Sequence, residues 1–214
     1  MQENEELKRV LEKIKMKERC AFCPLKNSKP LIFVPDRDVK IAVITEGPNR
    51  EEDPELIASI LDHPIYTYLL VLFGCKFSPT ENATAYWTHL RKCFIKSRDN
   101  KPIVDEKKIN AAARICKNYL VDELKAVKPE LVIAVGGQVK DYLYKISKDR
   151  RIAGNLREVF MNNIFENFRL GELKFDLAVL PHPSGKNRIW NEFMSYKARE
   201  IFENVRDRIL EILK

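Results

Sequence analysis

The sequence predicts an α/β fold in which a parallel β-sheet is covered by helices on both faces. Two short apolar runs, residues 41–44 and 131–135, have the length and the β-branched composition of strands that are buried on both sides. A third run, residues 175–180, is mostly apolar and precedes a Pro-His-Pro sequence near the C-terminus. Stretches with helical character separate these runs, and apolar strands that alternate with helices are typical of parallel sheets.

Length and charge limit the classes of protein that fit. The chain has 214 residues, of which 45% are hydrophobic, which suits one sizeable core and is short for two full domains, so we expect a single domain over residues 1–214. The chain has 38 Lys and Arg residues and 31 Asp and Glu residues, which gives a net charge of +7, as expected of a polyanion-binding protein. We find no apolar run of membrane-spanning length and a charged N-terminus rather than a signal peptide, so we expect an intracellular, cytoplasmic protein.

The N-terminal half begins with a helix and leads into the first strand. Apolar residues at helical spacing predict an amphipathic helix within residues 3–18: Leu7, Val10, Leu11 and Ile14. Prolines interrupt residues 24–38, and the apolar run that follows is the first strand. A turn at residues 45–49 leads into a predicted helix over residues 51–62, whose acidic first turn suits the helix dipole. Such a junction between a strand and a helix is a natural ligand site.

The rest of the chain alternates between strand-like and helical patterns. Residues 65–73 form an apolar block whose periodicity fits either a helix or a strand. The further elements, in chain order, are a strand at 85–90, a helix at 105–127, a strand at 131–135, a helix at 138–146, a strand at 175–180 and a closing helix at 191–213. Residues 151–174 are predicted to be an irregular or hairpin insertion.

The loop after the last predicted strand carries a histidine between two prolines. Each proline locks its own backbone angle and pushes the preceding residue away from the helical region, so His182 is held at a defined angle. Lys186 and Arg188 supply charged donors for phosphate, and Ser184 and Asn187 supply neutral ones. A histidine among phosphate donors indicates work on a nucleotide. The structural alternative is a proline-rich turn whose histidine bonds to the backbone.

Five cysteines in a chain of this size do not indicate a small disulfide scaffold, so metal or cluster ligation becomes the competing explanation. Cys20 and Cys23 form a C-x-x-C sequence where the first helix should end. Cys93 follows a predicted strand, and Cys116 lies in a predicted helix. Cys75 lies in an apolar neighbourhood, which predicts an ordinary buried thiol.

With these elements in order, the chain resembles the uracil-DNA glycosylase superfamily, and most closely its iron-sulfur-containing family 4 branch. Four matches carry the resemblance. The first is the cysteine set, with Lys92-Cys93 and Cys116-Lys117-Asn118-Tyr119-Leu120, and the second is the turn Glu46-Gly47-Pro48 with Glu52-Asp53 downstream, which is similar to a Gly-Glu-Ala-Pro-Gly pattern followed by a Glu-Asp pair. The third is Lys128-Pro129-Glu130, which precedes a strand followed by Gly136-Gly137. The fourth is His182-Pro183-Ser184. Their order and spacing together are more specific than any one match.

The resemblance implies a three-layer α/β/α fold with a central four-stranded parallel sheet and a DNA groove across the carboxyl ends of the strands. For the apolar block at residues 65–73 it favours a helix over a strand. It also implies a 4Fe-4S cluster held by four cysteines: Cys20, Cys23, Cys93 and Cys116. Structural zinc is the alternative, since tetrahedral thiolate coordination suits both ions. We expect a monomer that acts on chromosomal DNA and has no membrane partner.

Family 4 enzymes cleave the N-glycosidic bond of deoxyuridine after extruding the base. By resemblance, His182 donates to the departing base, and Glu46 serves the sugar and water side. In the best-known branch of the superfamily an aspartate stands at the position of Gly47. The resemblance assigns six residues to the substrate: Gly47, Pro48, Asn49, Tyr66, His89 and Ser184. It assigns four to DNA: Arg91, Lys186, Asn187 and Arg188. Arg91 and Lys92 line the groove in this interpretation, whereas the alternative is a solvated basic face.

Two positions depart from the family pattern. His89 stands where the family has an asparagine that matches the uracil edge, and a neutral imidazole offers one donor and one acceptor for this task. Ile65 stands where the family has a phenylalanine, which leaves Tyr66 or Tyr68 to supply an aromatic face. The predicted substrate is therefore uracil or a related deaminated base. The second hypothesis is a catalytically silent iron-sulfur protein of the same fold that binds nucleic acid.

Overall fold

The computed structural model describes residues 4–48, 64–93, 106–183 and 196–214. The strands in these ranges are β1 (Ile41–Thr45), β2 (Tyr86–His89), β3 (Leu131–Val135), β4 (Ile164–Leu170) and β5 (Leu173–Leu180). The helices are α1 (Glu5–Lys15), α2 (Pro64–Leu72), α3 (Glu106–Val127), α4 (Gly137–Ser147), α5 (Leu156–Phe160) and α6 (Tyr196–Ile212), and a short 3-10 helix spans Arg150–Ile152. The helix predicted over residues 51–62 lies outside the described residues.

The sheet has the strand order β2-β1-β3-β5-β4. β2, β1, β3 and β5 run parallel, which confirms the predicted α/β fold class and its four parallel strands. β4 pairs antiparallel with β5 at the edge of the sheet, so the predicted insertion at residues 151–174 contributes a fifth strand. A two-residue connection joins β4 to β5, and Gly171 there has φ 63°, a left-handed conformation that glycine adopts without steric cost.

The two central strands are buried on both faces. Every residue of β1 and of β3 is buried, as expected for parallel strands that helices cover from both sides. Alternate side chains enter separate cores: Ile41 and Val43 pack with residues of α2 and α6, whereas Ala42 and Ile44 pack with residues of α3 and α4. This division gives the three layers that the fold class requires.

The first helix packs on α3 and extends the core toward the cysteines. Asn4 caps α1, because its side chain accepts a hydrogen bond from the Leu7 amide at 2.9 Å and donates one to the Ala126 carbonyl at 3.0 Å. Buried residues of α1 share a third cluster with residues of α3 and with three of the cysteines. In the described ranges, none of the helices combines the length and the apolar character needed to cross a bilayer.

The apolar block at residues 65–73 forms α2 as far as Leu72, which confirms the helix that the resemblance favoured. The residues after this helix correct one prediction. Cys75 is exposed rather than buried. The reason is local, since Gly74 and Cys75 both have positive φ angles, 60° and 63°, and this left-handed backbone turns the chain away from the core. An apolar neighbourhood in the sequence therefore did not lead to burial of this thiol.

A buried ion pair joins the segment after β2 to α3. The Lys92 Nζ lies 2.5 Å from Oε2 of Glu123, and each side chain is only 2% exposed. The ammonium also donates to the Thr88 hydroxyl at 2.6 Å and to the His89 carbonyl at 2.7 Å, so its three donors have partners. The Tyr86 hydroxyl donates to Glu123 at 2.7 Å. The interpretation of Lys92 as a groove-lining or solvated basic residue is therefore wrong.

We expect the change Lys92→Met to lower the free energy of unfolding by about 3 to 5 kcal/mol, because it leaves the Glu123 carboxylate buried without its cation. The double change Lys92→Met with Glu123→Leu should recover much of that loss, since neither charge then remains. Urea unfolding followed by circular dichroism measures these differences.

A matched control uses the exposed pair of Lys40 and Glu130, whose side chains are 65% and 47% exposed at a separation of 2.8 Å. Lys40→Met should cost less than about 1 kcal/mol, because water already screens that pair. Similar losses for Lys92→Met and Lys40→Met would contradict the role of burial.

Candidate functional site

The carboxyl ends of the parallel strands bring the candidate residues to one edge of the sheet. β2 ends with His89, Glu46 follows β1, Gly136 follows β3, and His182 lies two residues beyond β5. Because the strand order is β2-β1-β3-β5, these residues follow one another along the edge in that order. Sheets of this type bind ligands beyond the carboxyl ends of their strands. The arrangement therefore makes this edge the candidate site.

The imidazole of His89 is held by hydrogen bonding and by aromatic neighbours. It is 3% exposed, and its Nδ1 lies 2.6 Å from the hydroxyl oxygen of Thr45. The Trp87 indole N–H donates to the same oxygen at 3.2 Å. Phe33 stacks on Trp87 with 4.7 Å between ring centroids, and both rings lie within 6.0 Å of the imidazole. These contacts fix the plane of the ring.

The contribution of Phe33 was not predicted from the sequence. It belongs to a short apolar run, residues 31–34, inside the segment that prolines interrupt. The run forms no strand, yet Phe33 is 4% exposed. The four adjacent apolar residues were the signal that could have indicated burial, although they could not indicate which side chain Phe33 would contact.

The turn after β1 packs closely against the segment after β2. The Leu90 amide donates to the Thr45 carbonyl at 2.7 Å, and the Arg91 amide donates to the Glu46 carbonyl at 2.9 Å, so the ladder continues past both strands. A Cβ at Gly47 would lie 2.7 Å from Nη2 of Arg91 and 3.0 Å from its carbonyl oxygen. A side chain at position 47 would therefore require the Arg91 guanidinium to move.

Burial and charge act in opposite directions on the Glu46 carboxyl. The residue is half-buried, and loss of hydration raises its pKa, while the positive charge of Arg91 lowers it. The pKa of Glu46 stays above its ordinary value because burial is the larger effect. Its neighbour Pro48 is buried.

Arg91 lies inside the protein and not on the surface of a groove. Its side chain is 6% exposed, and Nη1 donates a hydrogen bond to the Cys93 carbonyl. The guanidinium interacts by charge with Glu46 on one side, and it lines the cavity that contains Cys93 and Cys116 on the other. The residue therefore lies between the sheet edge and the cysteines.

His182 is anchored by its neighbours at the other end of the edge. It is half-buried between the buried residues Pro181 and Pro183. A Cβ added to Gly136 would lie 3.6 Å from the Cβ of His182. The φ of Gly136 is 99°, and its amide donates to the Leu180 carbonyl at 2.8 Å. A glycine suits this place because the backbone conformation is one that residues with a side chain rarely adopt.

Some of the predicted site residues lie outside the described ranges: Asn49, Ser184, Lys186, Asn187 and Arg188. Of the two tyrosines considered for an aromatic face, Tyr66 is half-buried and meets Phe77 edge to face at 5.6 Å. Tyr68 is 5% exposed and lies 5.7 Å from Phe202 of α6, in the core. Tyr66 is therefore the better placed of the two.

The four predicted ligand cysteines line one cavity. The residues that line it include Cys20, Cys23, Cys93 and Cys116. A turn after α1 supplies the first two, since the Cys23 amide donates to the Cys20 carbonyl at 2.9 Å. Cys93 forms an isolated bridge with Pro30, and Cys116 lies in α3. Three separate parts of the chain thus converge on this cavity.

Burial makes the free thiols of the cavity poor anions. Burial and the nearby cysteines raise the pKa of Cys93 to about 12, and burial also raises the pKa values of Cys20 and Cys116. A bound cation reverses this effect, because coordination deprotonates a thiol. Four buried thiols around a shared cavity thus fit a thiolate-bound metal group. Among the described residues, no group of three or more His, Cys, Asp or Glu is arranged to hold a metal ion directly.

The model of one protein family, described as the uracil DNA glycosylase superfamily, matches residues 32–206. The matched region covers more than half of the chain and contains all five strands of the described sheet. It includes Glu46, His89 and His182, and it begins after Cys20 and Cys23. No curated protein matches the sequence significantly.

The exposure of Cys75 gives a direct test of the cysteine arrangement. In the folded protein at pH 8 we expect one thiol to react rapidly with Ellman's reagent, because Cys75 is exposed while the other four cysteines are buried. The change Cys75→Ser should abolish this fast phase. Reaction in denaturant with a chelator provides the total thiol count as a control. A fast phase that survives in Cys75→Ser would mean that a cavity cysteine is accessible.

Proposed function

The chain belongs to the uracil DNA glycosylase superfamily, and on this basis we propose that it hydrolyses the N-glycosidic bond of uracil, or of a related deaminated base, in DNA. One observation carries the proposal: His89, Glu46 and His182 lie at the carboxyl ends of parallel strands along a single edge. An enzyme that acts on a base must take it out of the stack and hold it in a pocket. This edge is the part of the fold that suits such a pocket.

The proposed reaction needs stabilisation of two developing charges. As the glycosidic bond lengthens, negative charge grows on the departing base and positive charge grows on the sugar. His182 is the proposed donor to the base, since its backbone is held between two buried prolines and a donor fixed in advance needs little reorganisation. A rigid donor of this kind stabilises the transition state more than the ground state.

Glu46 is the proposed anion on the sugar and water side. Its carboxyl is half-buried, so its charge is screened less than that of a surface residue. The charge of Arg91 favours the ionised form against the opposing effect of burial. Since Gly47 offers no side chain, Glu46 is the carboxylate of this turn among the described residues.

His89 is proposed to contribute to reading the base. Its ring is fixed by Thr45 and by two aromatic side chains, so a base edge would meet a group of defined orientation. Tyr66, Gly47 and Pro48 complete the proposed pocket among the described residues, together with Asn49 and Ser184 from the sequence. Lys186, Asn187 and Arg188 follow His182 in the chain and are proposed to bind phosphates of the DNA strand.

The cavity is proposed to hold a 4Fe-4S cluster through Cys20, Cys23, Cys93 and Cys116. The four thiols line one cavity, which supports a thiolate-bound group of either kind. The resemblance of the cysteine spacing to the iron-sulfur branch is the reason to propose the cluster and not zinc. When bound, the group supplies metal-thiolate bonds that cross-link the turn after α1, α3 and the segment after β2.

One observation favours the alternative of a catalytically silent nucleic-acid-binding protein with the same fold. His89 is 3% exposed and already engages Thr45, so part of its hydrogen-bonding capacity serves the protein itself. An oligonucleotide that contains a single uracil separates the two functions. Excision leaves an abasic site that alkali cleaves, whereas binding alone leaves the strand intact.

The cofactor proposal predicts that freshly purified protein is brown, with broad absorbance near roughly 400 nm and about four iron atoms per chain. Cys93→Ser and Cys116→Ser should lose the absorbance, because each removes a proposed ligand. Cys75→Ser is the matched control and should keep it, because that thiol is exposed and outside the cavity. Colourless protein that contains stoichiometric zinc and no iron would overturn the assignment.

The catalytic proposal predicts that His182→Ala lowers the single-turnover excision rate of uracil by about 100 to 1000-fold, since it removes one fixed donor from the transition state. Affinity for the same DNA should change little, because the donor acts on charge that develops during the reaction. Excision is measured under enzyme excess, and affinity by fluorescence anisotropy.

In the same experiment His89→Asn should shift the preference between uracil and hypoxanthine toward uracil. His89→Ala should weaken recognition of both bases by the cost of an unmet hydrogen bond, about 1 to 3 kcal/mol. An unchanged preference in His89→Asn, or a negligible effect of His182→Ala, would show that these residues do not act on a flipped base.

A further inference from the structure

Arg91 contacts the candidate catalytic turn and the cysteine cavity at the same time. It is 6% exposed, and it is one of the residues that line the cavity. We infer that Arg91 is a positioning residue, which clamps the Glu46-Gly47 turn to the segment that carries Cys93 and so sets the position of the Glu46 carboxylate. The effect on excision rests on the proposed function, whereas the clamp itself does not.

On the side of the turn, both the backbone and the side chain of Arg91 take part. The Arg91 amide donates to the Glu46 carbonyl at 2.9 Å. The guanidinium occupies the space beside Gly47, where a Cβ would lie 2.7 Å from Nη2 and 2.8 Å from Cζ. Glu46 and Arg91 also attract each other by charge. Glycine at position 47 and arginine at position 91 therefore depend on each other.

On the side of the cavity, Nη1 of Arg91 donates to the carbonyl of Cys93, two residues further along the chain. Cys93 is one of the four thiols that share the cavity, so its backbone position is linked to that of the guanidinium. Among the described residues, Nε of Arg91 has no hydrogen-bond partner. The side chain is thus held by the hydrogen bond from Nη1, by charge and by packing against Gly47.

These contacts distinguish positioning from two other roles. A direct phosphate contact needs an exposed guanidinium, and a 6% exposed side chain does not provide one. A purely structural role would lower stability without a specific effect on the catalytic step. Displacement of a reacting group by about 1 Å can lower a rate by roughly 100-fold, so loss of the clamp should affect the reaction rate more than DNA binding.

The test uses the full-length protein with its metal content intact and compares Arg91→Met, Arg91→Lys and Arg199→Met. Arg91→Met should slow single-turnover excision by about 10 to 100-fold without change in DNA affinity or in its salt dependence. Arg91→Lys should recover part of the rate, because the positive charge beside Glu46 remains. Arg199→Met is the matched control, since that side chain is 77% exposed and pairs with Glu203 on α6. It should behave as the wild type.

A second measurement is independent of catalysis. Gly47→Ala should lower the midpoint of thermal unfolding, because the new Cβ would collide with the guanidinium. In the Arg91→Met background the same change should lower the midpoint less, since a flexible methionine can move aside. We expect the two decreases to differ by at least about 2 °C, which corresponds to a coupling between the two sites.

Each outcome decides a separate point. Equal decreases in the two backgrounds would overturn the clamp whether or not the protein excises uracil. If the two decreases differ as expected but the wild-type protein does not excise uracil, the proposed function alone is refuted. A rate in Arg91→Met equal to that of the wild type would overturn positioning. Weaker DNA binding with a salt slope reduced by about one would instead assign Arg91 to a phosphate contact.

Discussion

The ion pair of Lys92 with Glu123 constrains the segment on which both candidate centres depend. Each side chain is 2% exposed, so neither charge can be hydrated and the pair holds only while the end of β2 keeps its distance from α3. The carboxylate also accepts hydrogen bonds from Tyr86 and Thr88 of β2, which fixes the strand as well as the loop after it. A network that satisfies all its polar groups in this way favours one arrangement over its alternatives.

Residues 89–93 contact both the sheet edge and the cavity. His89 faces Thr45 and the aromatic rings, Arg91 faces the turn after β1, and Cys93 lines the cavity. Between them, Lys92 anchors the segment to α3, and its carbonyl accepts from the Leu31 amide at 2.8 Å. Neighbouring residues therefore point to different partners, and a shift of the segment would disturb both centres together. This shared backbone is the physical basis for a link between the cavity and the edge.

The elements with simple patterns could be predicted from the sequence, whereas the long-range contacts could not. β1 and β3 are continuous apolar runs, so local composition was sufficient. For residues 151–174 the sequence left an irregular segment and a hairpin as alternatives, and β4 fits the hairpin. The choice could not be made because a register shift between Phe165 and Phe168 breaks the two-residue alternation, and Asn167 there has φ 53°. Arg91 and Lys92 appeared to be surface residues because basic side chains usually are. Their burial depends on Glu46 and Glu123, which are distant in the sequence.

Because Gly47 has no side chain, the guanidinium of Arg91 can lie against the turn that carries Glu46. A residue with a Cβ at position 47, such as the aspartate of the best-known branch, would require the guanidinium of Arg91 to move. With the arginine in place, the turn carries its negative charge on Glu46, whose pKa burial raises and Arg91 lowers. The Glu46 carboxyl is half-buried, so solvent screens its charge less than it screens that of a surface residue. Under the proposed function, the position of Glu46 therefore matters more than its basicity, and that position is set by the residue that excludes a side chain from Gly47.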